Sequence, residues 1–137
     1  MPSLAIVDSG PLLASVNRAD PDHAWSVDAL RSSDRDLVIP ALCVAEVSHL
    51  LGRRLGPRVE SLFMRGLAGF DVRAPAPEDW TRIADLVDRF ADLPLGGTDA
   101  SVIALAERLD AGAILTLDRR HFTVARPANG AEILLPP

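Results

Sequence analysis

Four acidic residues, Asp8, Glu46, Asp99 and Asp118, stand where carboxylates are awkward. Asp8 ends the apolar run Leu4-Ala5-Ile6-Val7, and Asp118 ends the run AILTL. Glu46 sits within the apolar stripe Leu42/Cys43, Val47, Leu50/Leu51 of a predicted helix. Asp99 precedes Val102 and Ile103 by three and four residues and so begins the face that its helix buries. Taken singly, each has an ordinary explanation. An Asp in a first helical turn serves the helix dipole, and an Asp after a strand forms a turn. Taken together, four converging carboxylates would repel one another. Such a set suits a hard divalent cation such as Mg²⁺ or Mn²⁺, which takes carboxylate and water oxygens and binds substrate phosphate. The chemistry open to such a site is attack of an activated water at phosphorus. A second metal about 3.5–4 Å away would then stabilise the leaving oxygen. Ser9 and Thr116 are placed to hydrogen-bond the acids or a metal-held water, since Thr116 shares a strand face with Asp118.

The elements that must position these groups follow from periodicity. Short strands are expected at 4–7, 37–40, 113–117 and 133–135, with a weak one at 70–72. Between them lie helical patterns at about 23–30, 41–51 (closed by Gly52), 58–67, 77–90 and from 98 onward, with Thr98 as the expected N-cap of the last. Ser9-Gly10-Pro11 reads as a turn. Trp80, Ile83, Ala84, Val87 and Phe90 are expected in the core. Strands alternating with helices predict a three-layer α/β/α sandwich on a four- or five-stranded, mainly parallel sheet, in a single domain over 1–137. An acid at the C-terminal end of a strand lies where open α/β sheets place their ligands.

Composition narrows the function classes. The chain has 137 residues, 48% of them hydrophobic and 24% charged, which suits one globular domain. No apolar run approaches the ~20 residues that span a membrane. The N-terminus has no basic region before its apolar stretch and does not resemble a signal peptide. A single cysteine, Cys43, rules out an intrachain disulfide and a cysteine-based zinc site, and fits a reducing, cytoplasmic setting. The net charge of −5 excludes a general nucleic-acid coating protein, so any contact with nucleic acid must be local. All 14 basic residues are Arg. The absence of Lys excludes a phospho-receiver domain, and Asp8-Ser9-Gly10 lacks the DxD of a haloacid-dehalogenase-type phosphatase. Arg119 and Arg120, directly after Asp118, are placed to hold a phosphate. The segments 41–51 and 58–67 carry Leu50, Leu51, Phe63, Met64 and Leu67 beside Arg53, Arg54, Arg58 and Arg65, the composition of a protein interface.

The order of motifs IVDSGPLLA, PALCVAEVSHLL, LPLGGTDASVIALAERL and AILTLDRRHF resembles the PIN-domain ribonucleases. The chain is most similar to the VapC toxins of type II toxin–antitoxin systems, and the resemblance covers essentially its whole length. It implies a Mg²⁺- or Mn²⁺-dependent endoribonuclease with Asp8, Glu46, Asp99 and Asp118 as its acidic quartet. It also implies a homodimer and a VapB-like antitoxin whose C-terminal segment lies beside the helices carrying Leu50 to Leu67. Asp92 falls where some members carry a fifth acid. The alternative is a non-catalytic PIN-like module that binds RNA or protein; a complete quartet argues against it.

Overall fold

The computed structural model describes residues 3–137. The elements run β1 (Leu4–Val7), α1 (Ser9–Ser15), α2 (His23–Ser32), β2 (Asp36–Pro40), α3 (Ala41–Arg54) and α4 (Pro57–Gly66). They continue with β3 (Asp71–Arg73), α5 (Pro77–Arg89), α6 (Gly97–Arg108), β4 (Ala113–Leu115), α7 (Arg119–Phe122) and β5 (Glu132–Leu134). The five strands pair in the order β3-β2-β1-β4-β5, every pair parallel, with helices on both sides of the sheet. The expected α/β/α architecture is therefore the observed one. Parallel neighbours need crossover connections, and here helices supply them. The chain moves outward from β1 through β2 to β3, then returns to the other side of β1 as β4. This reversal opens a crevice at the carboxyl ends of β1 and β4, the ends at which Asp8 and Asp118 leave the sheet.

The core is built on Ile6, Val7, Val38, Ile39 and Ile114 of the central strands. Helix α6 is its centre: all seven residues Ala100–Ala106 are buried, so the helix is covered all round and not only on the stripe read from its periodicity. No helix among the described residues is long and apolar enough to cross a membrane.

Several local expectations are corrected. Ser9-Gly10-Pro11 is the first turn of α1, where proline is tolerated because its missing N–H has no helical partner. Gly52 does not close α3, which runs on to Arg54. The chain turns instead at Gly56, whose φ of +92° only glycine adopts readily, with the Leu55 and Gly56 amides both donating to Leu51 O. The N-cap of α6 is Gly96, not Thr98, and Asp99 falls in its first turn. Helix α5 is rotated from its expected phase: Leu86 is buried, while Trp80 is 52% exposed and Ala84 also faces solvent. The phase is set by polar anchors. Buried Asp79 accepts from Arg108 Nε (2.8 Å) on α6 and from the Ala76 amide, and Arg82 forks onto Glu107.

Candidate active site

The end of β1 is tied to β4 by the Asp8 amide, which donates to Leu115 O (2.9 Å). At the next residue, the Thr116 hydroxyl joins the two strand ends. It donates to Asp8 Oδ2 (2.8 Å) and accepts from the Asp118 amide (2.9 Å). Cys43, fully buried on α3, directs its thiol at Asp8 Oδ1 (3.9 Å). Asp8 itself is 4% exposed. Burial, reinforced by the charges of Asp99 and Glu46 and opposed by Thr116, pushes its pKa up to about 7. Burial and the nearby Asp8 charge keep the Cys43 thiol protonated, so it is a neutral donor beside the carboxylate.

Asp99 extends from the first turn of α6 and is partly buried. Burial first, then the charge of Asp118, raises it to about 6, and His121 opposes this. Asp118 caps α7. Its Oδ1 accepts from the His121 amide (2.9 Å), and its Oδ2 faces His121 Nδ1 at 2.5 Å. His121 Nδ1 also lies 3.7 Å from Asp99 Oδ2, and the bond to Asp118 holds its pKa above the usual histidine range. Glu46 differs from expectation. It does not lie in the buried stripe of α3, which is Cys43, Val47 and Leu51, but is exposed and faces the cleft.

All four acids line one open cleft of about 370 Å³, together with Ser9, Gly10, Leu117 and the turn into α7. Gly10 lies close against the opposite wall: a Cβ would meet the Leu117 side chain at 3.1 Å, so Leu117 would have to shift by a few tenths of an ångström. A larger cleft of about 590 Å³ lies between α2 and β5, but among the described residues its acids, Asp28, Asp34 and Glu132, form no group close enough to share a metal ion. The donor set fits a hard divalent cation. The four acids offer only oxygen, and atoms of Asp99, Asp118 and the neighbouring His121 ring lie within 4.8 Å of one another. Among the described residues, His121 is the one cationic side chain within ion-pair distance of these acids. The buried Ser9 hydroxyl on the cleft wall has no hydrogen-bond partner among the described residues, as a group meant for a bound water or ligand would.

A model of the PIN domain matches residues 5–127. The chain belongs to the PIN-domain family. It is 35% identical, over 96% of its own length and 99% of the relative's, to Ribonuclease VapC26 of Mycobacterium tuberculosis. The fold of VapC20 from the same organism, a toxin that cleaves the sarcin–ricin loop, superposes with a TM-score of 0.82 at 17% identity, covering 93% of this chain and 98% of that one. VapBC2 from Rickettsia felis, solved bound to a fragment of its promoter DNA, gives 0.72 at 12% identity over 98% and 99%.

Elsewhere in this PIN domain the expected contacts are partly rearranged. Asp92 is exposed in the turn after α5 and does not line the cleft. The Arg119 guanidinium is taken by the Pro136 carbonyl, while Arg120 is exposed with no bonded partner among the described residues. The apolar surface expected on α3 and α4 resolves differently. Leu51 is fully buried and Phe63 is 6% exposed, so both belong to the core, and Leu50 and the exposed Met64 do not line the apolar groove beside them. An apolar groove of about 250 Å³ does run between α1, α2 and α4, with Phe63 and Leu67 on its wall. Its exposed apolar side chains are Leu62 (61%), read from periodicity as part of the apolar face of 58–67 but not as an interface residue, and Phe70. Two site residues escaped sequence reasoning: Cys43, read only as core, and His121. The spacing of His121, three residues after a strand-ending acid, was the available signal, because it puts the ring in the turn that Asp118 caps.

Proposed function

We propose that this chain, taken over 1–137 as a single domain, is a Mg²⁺- or Mn²⁺-dependent endoribonuclease and the toxin of a VapBC-type pair. The observation that carries this reading is the convergence of Asp8, Glu46, Asp99 and Asp118, drawn from four separate elements, on one cleft at the point where the strand order reverses. Similarity to a named ribonuclease over nearly the whole chain supplies the substrate class.

Asp8, Asp99 and Asp118 would hold the cation, with Glu46 at the open side. When bound, the metal supplies an activated water and neutralises charge developing on the phosphate. The protein's own groups do the rest. Thr116 and Cys43 fix the Asp8 carboxylate from both of its oxygens. Glu46, with no hydrogen-bond partner among the described residues, is left to take the proton from the attacking water. Arg120, exposed just beyond Asp118, meets an RNA phosphate. The test is cleavage of a structured RNA by purified protein with Mn²⁺ or with chelator. Cleavage only with metal is expected, and Arg120→Ala should weaken RNA binding and lower its salt slope by about one. A chain that binds RNA but never cuts it is instead the non-catalytic module.

The partner in this reading is a VapB-like antitoxin whose apolar segment occupies the groove between α1, α2 and α4. A homodimer and a cytoplasmic setting belong to the same proposal. Leu62→Asp puts a charge on the most exposed apolar residue of the groove, where it needs no core rearrangement. It should keep RNA cleavage and weaken antitoxin binding by about tenfold or more, the loss expected at an interface hot spot. Wild-type antitoxin affinity in this variant would place the interface elsewhere.

A further inference from the structure

His121 stands beside two acids of the quartet, with Nδ1 3.7 Å from Asp99 Oδ2 and bonded to Asp118. Its amide donates to Asp118 Oδ1 and its Nδ1 faces Asp118 Oδ2, so one residue holds both oxygens of that carboxylate. Its Nε2 lies 3.1 Å from Leu93 O. A carbonyl only accepts, so Nε2 carries a hydrogen, and with a carboxylate on Nδ1 the ring donates along both edges. Leu93 lies in the turn joining α5 to α6, a few residues before Asp99. That turn is fixed at its other end by buried Leu95, whose amide, like that of Leu93, donates to Phe90 O. The His121 backbone is equally fixed, because its neighbour Phe122 is fully buried. The imidazole is thus a rigid strut from the cap of α7 to the segment that starts α6. Asp99 and Asp118, whose elements make no other side-chain bond to each other at the cleft, are spaced by it.

We infer that His121 is a positioning residue that sets the separation of Asp99 and Asp118 through its paired bonds to Asp118 and Leu93, and so preforms the half of the site that binds the cation. The inference rests on the metal-site reading above. Partners of this kind around metal-binding carboxylates and histidines are worth about 10–100-fold in metal affinity.

The experiment is direct Mn²⁺ binding without RNA, following free Mn²⁺ by electron paramagnetic resonance, with melting in chelator as the check on folding. His121→Ala should weaken Mn²⁺ binding by about tenfold. His121→Asn places an amide nitrogen near the position of Nδ1 and should recover most of the affinity. His121→Gln reaches toward Leu93 but not Asp118, and should bind more weakly than His121→Asn. A merely structural role would move melting in all three variants without this order in affinity. If the alanine variant is unfolded, the Asn and Gln pair decides alone. Unchanged or tighter Mn²⁺ binding in a folded His121→Ala overturns the inference, the tighter result meaning that the ring only competes with the cation. Equal affinity in the Asn and Gln variants also overturns it. Asp99→Asn separates the two levels. If that variant loses Mn²⁺ while His121→Ala keeps it, only this inference fails. If Asp99→Asn binds Mn²⁺ as the wild type does, the metal site fails and this inference with it.

Discussion

Asp8→Asn is expected to lower RNA cleavage by about 10³-fold, at the upper end of what removing one preorganised charge-stabilising group costs, and to make the metal-free protein more stable at pH 8. The two effects have one cause. Asp8 is nearly inaccessible and is raised from 3.8 to about 7, first by burial and then by Asp99. Three pKa units correspond to about 4 kcal/mol of preference for the uncharged form. At pH 8 the wild type holds Asp8 ionised against that preference. An asparagine has the same shape, accepts from Thr116 and carries no charge, so about 2–4 kcal/mol should be regained. The stabilisation should shrink toward pH 5, where the wild-type carboxyl is already protonated in the fold. Urea unfolding in chelator at both pH values measures it. An Asn variant less stable than wild type at pH 8 would mean that Asp8 packs or bonds in a way its charge does not oppose.

The wild type itself is expected to lose stability with rising pH unless metal is present. Asp8 at about 7 and Asp99 at about 6 both lie above the ordinary aspartate value of 3.8. A group raised on folding contributes stability that is complete below its unfolded pKa and is lost as pH climbs through its folded one. For these acids the window is about pH 4 to 7. His121, also raised, adds a loss of the same sign above its ordinary pKa. Because Asp8 and Asp99 owe part of their shifts to other acids of the cluster, the contributions do not simply add. A fall on the order of 4 kcal/mol across the window is expected. Mn²⁺ at about 100 times its dissociation constant should return about 2.7 kcal/mol at pH 7.5, because it binds only the folded chain. Asp99→Asn should flatten both the pH dependence and the response to Mn²⁺. A metal-free melting temperature that stays level or rises from pH 5 to 8 would contradict the cluster's electrostatics. Equal Mn²⁺ shifts in wild type and Asp99→Asn would remove Asp99 from the site.

What the chain declares locally is a good deal. Leu4–Val7 followed by Asp8, and AILTL followed by Asp118, are contiguous signals: an apolar run must be buried, and an acid after it must emerge at the strand's end. The alternation of such runs with helical patterns then dictates a parallel sheet, because parallel strands cannot be joined by short turns. Asp99 was legible for the same reason, as an acid in the first turn of a helix that had to be buried.

Phase and partnership were decided only by the tertiary structure. Periodicity says which residues share a helix face but not the angle at which that face meets the sheet. Asp79 and Arg82 on α5 bond to α6, and this turns Trp80 outward. On α4 the neighbours Leu62 and Phe63 are about 100° apart on the helix, and only packing sends Phe63 into the core and leaves Leu62 in the groove. Glu46 looked buried from its stripe and is exposed. The environment of Asp8 depends on Cys43 and Thr116, 35 and 108 residues away. No local pattern encodes such contacts, since they arise where β1, α3 and β4 meet at the reversal of strand order. His121 shows both sides. Its bond to Asp118 is local and follows from a three-residue spacing. Its bond to Leu93, 28 residues earlier, exists only because folding lays the turn before α6 against the cap of α7.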